Sequence, residues 1–362
     1  MRRLIFDFIL CLIILVISGC RQDNTPVPLK FKAYAHNPIL TPGEPGSWDD
    51  LLVMNACILE HDDTIYLFYT GYAQNMIKAV GLAISTDGYH FTKYSGNPIL
   101  EADQTGFDAY GVSQAEVFKE DSLWVLYYNA REIAGFGMGP SIGRATALSL
   151  YGPWTRSEEP VITSGKICEW DSEFLQVGSI LKQNNGDYIM FYSAAYDFAS
   201  QKNFLIGMAT SKDGISWKKY NDPTTKEHPY VESDPVMMTG KSGEWDTDGI
   251  TLGFVSKVKN GFEMFYAGFE MYYYGSVNAD SKADKWESGS IGYATSVDGI
   301  HWEKYKKNPV YSVENDPYYF NMAKKEAIIH NPKILKKGSF YMLYYDYGLG
   351  VGKISVATAE LK

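Results

Sequence analysis

The chain is predicted to be all-β: a five-bladed β-propeller with four antiparallel strands per blade, its ring closed by the N-terminal strand joining the C-terminal blade. Three observations predict this. An aromatic-Asp pair leads into an apolar stretch and then an aromatic-rich strand at Trp48-Asp49, Phe107-Asp108, Trp170-Asp171 and Trp245-Asp246. A Ser-x-Asp-Gly-x-x-aromatic turn recurs at Ser85 to Phe91, Ser211 to Trp217 and Ser296 to Trp302. Finally, Phe31 to Leu40 closely repeats Phe91 to Leu100, although no blade precedes it. Self-similarity at a period of roughly 60 to 75 residues marks an array of supersecondary units, so the fold follows from one unit.

The first copy supplies the template. Val53 to Leu59 is a short apolar run, Glu60 to Asp63 a turn, Thr64 to Tyr69 an aromatic strand and Val80 to Ser85 a third strand. Thr86-Asp87-Gly88 then turns the chain into Phe91 to Tyr94, and Asn97-Pro98 breaks it. Four short antiparallel strands with tight turns make one blade. Later copies of the aromatic strand are Trp124 to Tyr128, Tyr188 to Tyr192 and Phe262 to Tyr266; a fifth, Phe340 to Tyr345, arrives without the aromatic-Asp lead-in. In the recurring turn, Asp-Gly supplies a positive φ and the aromatic packs between blades. The second copy, Ser149 to Trp154, has a changed turn but keeps its Trp. The fifth unit stops at its third strand, Val351 to Ala359, so Phe31 to Leu40 is the outermost strand it lacks. Closing the ring in this way removes a free sheet edge.

The bulk composition bounds the partners. With 362 residues, 45% hydrophobic and 15% aromatic, the chain can bury a large core. A balance of 33 basic against 43 acidic residues gives a formal charge of -10, and no basic run exceeds two lysines, which argues against nucleic acid. Residues 1–20 read as a lipoprotein signal: Arg2-Arg3, an apolar run from Leu4 to Ile17, then Ile17-Ser18-Gly19-Cys20 with Cys20 as the lipidated residue. The run is short for a membrane span. Residues 21–29 read as a tether and 30–362 as a single propeller domain. The expected location is a bacterial membrane, periplasmic or cell-surface, with membrane contact only through the lipid, and the expected state is a monomer. Cys57 and Cys168 fall in different repeats, so two buried thiols are expected rather than a disulfide.

Propeller geometry localises the chemistry. If each innermost strand starts at the mouth of the central funnel, the loop after the second strand returns to that mouth. Residues entering the first strands include Asp50, Asp108, Tyr110, Glu173, Asp248 and His330; those leaving the second strands include Arg131, Tyr196, Asp197, Glu270 and Asp346. Carboxylates for hydroxyls and aromatics for ring faces suit an oligo- or polysaccharide. The Asp of the repeated aromatic-Asp pair is most economically a structural cap, because it recurs. Acids that break the repeat are stronger catalytic candidates. Two residues after that Asp stand Leu51, Tyr110, Glu173 and Asp248, acidic only in the third and fourth blades. Counted by twos, this column shares a face with Asn55, Gln114, Val177 and Leu252, which points Glu173 and Asp248 into one funnel. Two such carboxylates could divide general acid and general base work at a glycosidic bond; the alternative is an exposed rim pair that only solvates. Glu116 stands where other copies have Cys57, Ser179 and Phe254, and is either catalytic or, being out of phase with Gln114, a paired acid between blades. Asp50 completes the catalytic candidates. Asn55, Asp108, Gln114, Arg131, Asp197, Glu270, His330 and Asp346 are the substrate-binding candidates. No catalytic cofactor is expected, though the central channel has room for a structural divalent cation.

The chain resembles the five-bladed propeller glycosidases: glycoside hydrolase family 43 and its relatives among families 32, 62, 68, 117 and 130. Gly46-Ser47-Trp48-Asp49, Asn97-Pro98-Ile99-Leu100, Ile291 to Trp302 and Asn308-Pro309-Val310 carry the resemblance. It implies a glycoside hydrolase acting at the funnel mouth with an Asp base or nucleophile and a Glu acid. The family 43 carboxylates have no matching positions: Asn55-Ala56 replaces the usual Asp-Pro, and the acid column holds Met54, Ser113, Gln176, Thr251 and His330. Asn331-Pro332 resembles the phosphorolytic family 130, but only Arg131, Arg144 and Arg156 are available to clamp phosphate. A glycoside hydrolase is the first reading, a glycan-binding lipoprotein without catalysis the second, and a sialidase-like enzyme the third.

Overall fold

The structure, a computed structural model, describes residues 30–103, 105–132, 140–196, 203–270, 288–316, 328–348 and 352–360. The leader, Cys20, the tether and Asp197 lie outside these residues. Both remaining cysteines are free thiols; Cys57 is buried as expected, whereas Cys168 is exposed. The described residues form five antiparallel sheets, each a blade. Blade 1 is built from Leu52–His61, Thr64–Tyr72, Lys78–Ser85 and Thr92–Lys93, read from the inside outward. Blade 2 comprises Val112–Glu120, Leu123–Ala130, Ser141–Ala147 and Thr155–Arg156, with Ile162–Thr163 also on its third strand. Blade 3 comprises Phe174–Lys182, Tyr188–Ala195, Leu205–Ser211 and Trp217–Lys219, with Pro235–Met237 added in the same way. Blade 4 comprises Gly249–Val258, Gly261–Glu270, Ser288–Ser296 and Trp302–Lys304. Blade 5 takes Ile329–Lys337, Phe340–Tyr347 and Lys353–Glu360 from the C-terminal region and Lys32–Ala33 from the N-terminal segment. Lys32 pairs with Thr358 and Ala33 with Ala357, so the ring closes as the repeat required.

Two repeated devices hold the ring. The first is an aromatic seam: the outer-strand aromatic of each blade packs edge-on against the second strand of the preceding blade. Trp154 meets Phe68, Trp217 meets Tyr127, Trp302 meets Phe191, and Phe91 meets Tyr344, with ring centroids 5.7 to 6.5 Å apart. Phe31 completes the set against Phe265 at 6.1 Å. Such T-shaped pairs add to the burial of large rings. The turn that delivers Phe91, Trp217 and Trp302 is the Ser-x-Asp-Gly motif, in which Gly88, Gly214 and Gly299 sit at φ of +82°, +68° and +82°. In each, the Ser hydroxyl accepts from the Gly N–H, while the Asp carboxylate accepts from two backbone N–H groups beyond it.

The second device is a buried pin. Asp49 accepts from Tyr69 Oη at 3.1 Å and Lys93 Nζ at 2.6 Å. Asp108 does the same with Tyr128 at 2.9 Å and Arg156 Nε at 3.0 Å, and Asp246 with Tyr266 at 3.1 Å and Lys304 at 2.6 Å. Asp171 takes Lys219 at 2.5 Å and the Ser233 hydroxyl at 3.3 Å. All four carboxylates are buried, and burial with the adjacent carboxylate drives the tyrosine pKa values upward at Tyr69, Tyr128, Tyr192 and Tyr266. Blade 5 carries the pin too: Asp316 accepts from Tyr345 Oη. The sequence repeat hid it because Asp316 precedes its tyrosine by 29 residues, against 20 for Asp49 and Tyr69.

Every inner strand is interrupted by a β-bulge at mid-length. At three of them a non-glycine residue takes left-handed φ: Asn55 at +59°, Gln114 at +51° and Asn331 at +49°. A bulge shifts the side-chain parity of the strand beyond it. Residues before and after the bulge therefore face the axis together, which counting by twos does not anticipate.

Candidate active site

One set of ends of the blades forms the mouth. Leu51, Tyr110, Glu173 and Asp248 make the same backbone bond there, each N–H donating to the carbonyl at the end of its blade's second strand, at 2.9 to 3.2 Å. The sequence column is thus a structural column. Glu173 is exposed and Asp248 half-buried, at the entries of blades 3 and 4. These blades are stitched together beside the two acids: the Asn203 N–H donates to the Asp248 carbonyl at 2.8 Å, and Phe204 bridges to Gly249. Phe204 packs between Phe174 and Phe269, with centroids at 5.0 and 5.9 Å, making an apolar wall. Tyr110 and Tyr196 stand exposed on the rim, the Tyr196 hydroxyl accepting from Asn203 Nδ2 at 3.1 Å. Glu270, half-buried, ends the second strand of blade 4.

The opposite side of the mouth is cationic. Arg131 follows the second strand of blade 2, and its carbonyl accepts from the Tyr110 N–H at 2.9 Å. Lys78 opens the third strand of blade 1, almost fully buried, with Nζ 5.0 Å over the Tyr72 ring. Burial, with Arg131 as a second positive charge, pushes the Lys78 pKa down to about 8. Sequence reasoning missed Lys78 because it counted only arginines as anion binders. Of those, Arg156 is spent in the blade 2 pin and Arg144 pairs with Glu120 at 3.3 Å, leaving Arg131 at the mouth. Three converging arginines of a sialidase-like site are not found among the described residues.

Below the mouth lies a polar floor. Gln176 Nε2 donates to Gln114 Oε1 at 2.9 Å and to Asn331 Oδ1 at 3.1 Å, joining blades 2, 3 and 5 across the axis. Asn331 Nδ2 donates to Asn55 Oδ1 at 2.5 Å and to Asp346 Oδ2 at 2.7 Å. Asn55, Gln114 and Asp346 are fully buried here, so their contribution is to close the funnel rather than to line an open cavity. The Asp346 carboxyl is pushed up to about 7 by burial, opposed by hydrogen bonds from Asn331 and the Asn55 and Ala56 N–H groups and by Lys333. His330 sits on the mouth side of this floor, its Nδ1 3.7 Å from Asp346 Oδ2, and burial pushes its pKa down to about 4.

Placement corrects the catalytic reading of Asp50 and the sugar-binding reading of Asp108, and for Glu116 it agrees with the paired acid between blades rather than the catalytic role. Glu116 forms an ion pair with Lys333, a contact between blades 2 and 5 that only the central channel permits. The bulges turn both side chains inward past the floor, and burial lowers the Lys333 pKa to about 8. Asp50 fastens the two mouth loops of blade 1, accepting from the Gly46 N–H at 2.7 Å and the Gln74 N–H at 3.1 Å. Asp108, 1% exposed, belongs to its pin and not to a sugar subsite. The Lys333 ammonium in the channel does not fit the structural cation considered above, and no group of three or more candidate ligands gathers among the described residues.

No family model matches the chain. Over 240 residues it is 26% identical to an uncharacterised protein of Mycobacterium tuberculosis (strain H37Rv), covering 64% of this chain and 72% of that one. It is 27% identical over 121 residues to the β-1,2-mannobiose phosphorylase of Thermoanaerobacter sp. (strain X514), covering 33% of this chain and 36% of that one. Among solved structures, a putative glycoside hydrolase from Parabacteroides distasonis superposes with a TM-score of 0.69 at 19% identity, over 93% of this chain and 98% of that one. The fold is that of the five-bladed propeller glycosidases. The β-1,2-mannobiose phosphorylase of Listeria innocua, in complex with β-1,2-mannobiose, shares this propeller glycosidase fold at a TM-score of 0.60 and 14% identity, over 92% of this chain and 97% of that one.

Proposed function

We propose that the protein is a glycosidase that cleaves an oligo- or polysaccharide at the funnel mouth, with Glu173 and Asp248 dividing the general acid and general base roles. One observation carries this reading. The recurring aspartates lie buried in the pins, whereas Glu173 and Asp248, which break the repeat, enter adjacent blades at the mouth. In hydrolysis one carboxyl group protonates the glycosidic oxygen while the other takes a proton from the attacking water, each worth about 10² to 10⁴ in rate. Tyr110 and Tyr196 offer ring faces to the sugar. A lipid on Cys20 would hold this mouth outside the cytoplasm, at a membrane surface.

A phosphorolytic variant of the same cleavage is the second reading. Lys78 and Arg131, on one side of the mouth, favour it, as does the sequence match to a mannobiose phosphorylase. The test is release of reducing sugar and of sugar phosphate from aryl glycosides and β-1,2-mannobiose, with and without inorganic phosphate. Turnover without phosphate supports hydrolysis and phosphate-dependent turnover supports phosphorolysis. Glycan binding with no turnover on any substrate would instead make the protein a binding module.

A further inference from the structure

The strand registers of blade 5 fix where the chain enters the ring. At the mouth end Ile329 pairs with Tyr347 and Tyr347 with Lys353; at the far end Lys337 pairs with Phe340 and Phe340 with Glu360. The closing strand runs from the far end toward the mouth. Lys32 pairs with Thr358 and Ala33 with Ala357, and the Tyr34 and Ile39 N–H groups then donate to Val356 O and Ile354 O at 3.0 and 2.9 Å. Lys30, exposed, therefore stands at the end of the ring opposite the funnel mouth.

Length decides which way the mouth points when Cys20 is held at a bilayer. The nine residues 21–29 between Cys20 and Lys30 span at most about 30 Å fully extended. The second strand of blade 5, Phe340–Tyr347, has eight residues, so the ring is about 25 Å deep. Turning the mouth to the membrane would make the tether run back along that whole depth, leaving about 5 Å for an oligosaccharide to enter. The far face also carries side chains suited to lipid. Leu123 and Phe340 follow inner hairpins there, and Leu148, Ile215 and Val297 lie in turns toward the outermost strands. All five are exposed, Leu148 and Val297 at 80%. Lys336 and Lys337 on this face pair with Glu263 and Glu60, so a neutral bilayer suffices. Single exposed apolar residues are ordinary on a surface, but a short tether brings them to the bilayer at high effective concentration.

We infer that this far face is the membrane-facing surface of the lipid-anchored protein and that the funnel mouth opens away from the bilayer. This rests on the reading of Cys20 as the lipidated residue. The substrate then arrives as a soluble or externally presented glycan. A glycolipid of the same bilayer does not reach Glu173 and Asp248, which stand at the opposite end of the ring.

The experiment attaches a fluorophore at a substituted cysteine in the lipidated protein, with Cys168→Ser removing the exposed thiol. Val297→Cys labels the far face and Ile77→Cys the mouth loop of blade 1, both at exposed positions. The protein is reconstituted in phosphatidylcholine vesicles whose headgroups carry nitroxides that quench on contact. Quenching at Val297 is expected to exceed that at Ile77 at least about fivefold, because the depth of the ring separates them. Equal quenching at the two positions, as when a second copy covers the far face, overturns the proposal, and so does stronger quenching at Ile77. Mass spectrometry of the same preparation reads the lipid on Cys20. Its absence refutes the anchor and the orientation together, whereas its presence with quenching equal or reversed refutes the orientation alone. Turnover has no part in the readout, so the glycosidase reading stands or falls separately.

Discussion

The closing strand makes a quantitative prediction through Asn37. Its Nδ2 donates to Val356 O at 2.9 Å and Tyr345 Oη at 3.2 Å, and its Oδ1 accepts from the Val356 N–H at 3.0 Å. Asn97 makes the identical set in blade 1, to Leu82 and Tyr69, and Asn308 in blade 4, to Tyr293 and Tyr266. In Asn37→Ala the Val356 carbonyl keeps its bond from the Tyr34 N–H, but the buried Val356 N–H is orphaned. Leaving one buried donor unsatisfied costs about 1 to 3 kcal/mol. For a chain of this size that lowers Tm by about 1 to 4 °C. Asn97→Ala loses the same bonds inside one continuous blade, so differential scanning calorimetry should give equal losses for the two variants. An Asn37→Ala protein that melts with the parent while Asn97→Ala falls would refute closure by the N-terminal strand.

Further outcomes follow from the buried charges and the seam. Phe31→Ala removes the last aromatic of the seam and should cost about 3 to 5 kcal/mol in denaturant unfolding. Breaking the channel ion pair with Lys333→Met should cost about 3 to 5 kcal/mol by stranding Glu116, and adding Glu116→Leu should recover most of it in the same assay. Asp346 holds its proton up to about pH 7, far above the ordinary carboxylate range, so the native state binds more protons than the unfolded chain between pH 4 and 7. Its effect on stability thus declines as pH rises, and Asp346→Asn should exceed the parent by up to about 4 kcal/mol at pH 8, with the gap vanishing below about pH 4. Chelation by EDTA should leave Tm unchanged, since Lys333 and Glu116 fill the channel.

The ring was legible in the sequence because its devices are local and repeated. The Ser-x-Asp-Gly turn, the aromatic that follows it and the Asn-Pro anchor each fix the same contact in several blades, so counting copies gave blade number and closure. Recurrence also marked the aspartates of the aromatic-Asp pairs as structural caps, although Asp108 was also expected to bind sugar and is instead held in its pin. Asp316 escaped because an insertion separates it from Tyr345. The channel was less legible: strand alternation does not reveal a bulge, and the bulges bring Glu116 and Lys333 to the axis from strands far apart in sequence. Lys78 escaped for a different reason: only arginines were counted as anion binders, and the burial that lowers its pKa is not written in the residue type.

The most direct test of the account is the initial rate of glycoside cleavage in Glu173→Gln and Asp248→Asn beside Asp50→Asn, each checked for an unchanged melting curve. The account predicts a fall of at least about 10² in kcat/KM for the first two and near-parental rates for Asp50→Asn, whose carboxylate ties loop backbone. Parental rates in both Glu173→Gln and Asp248→Asn would contradict it.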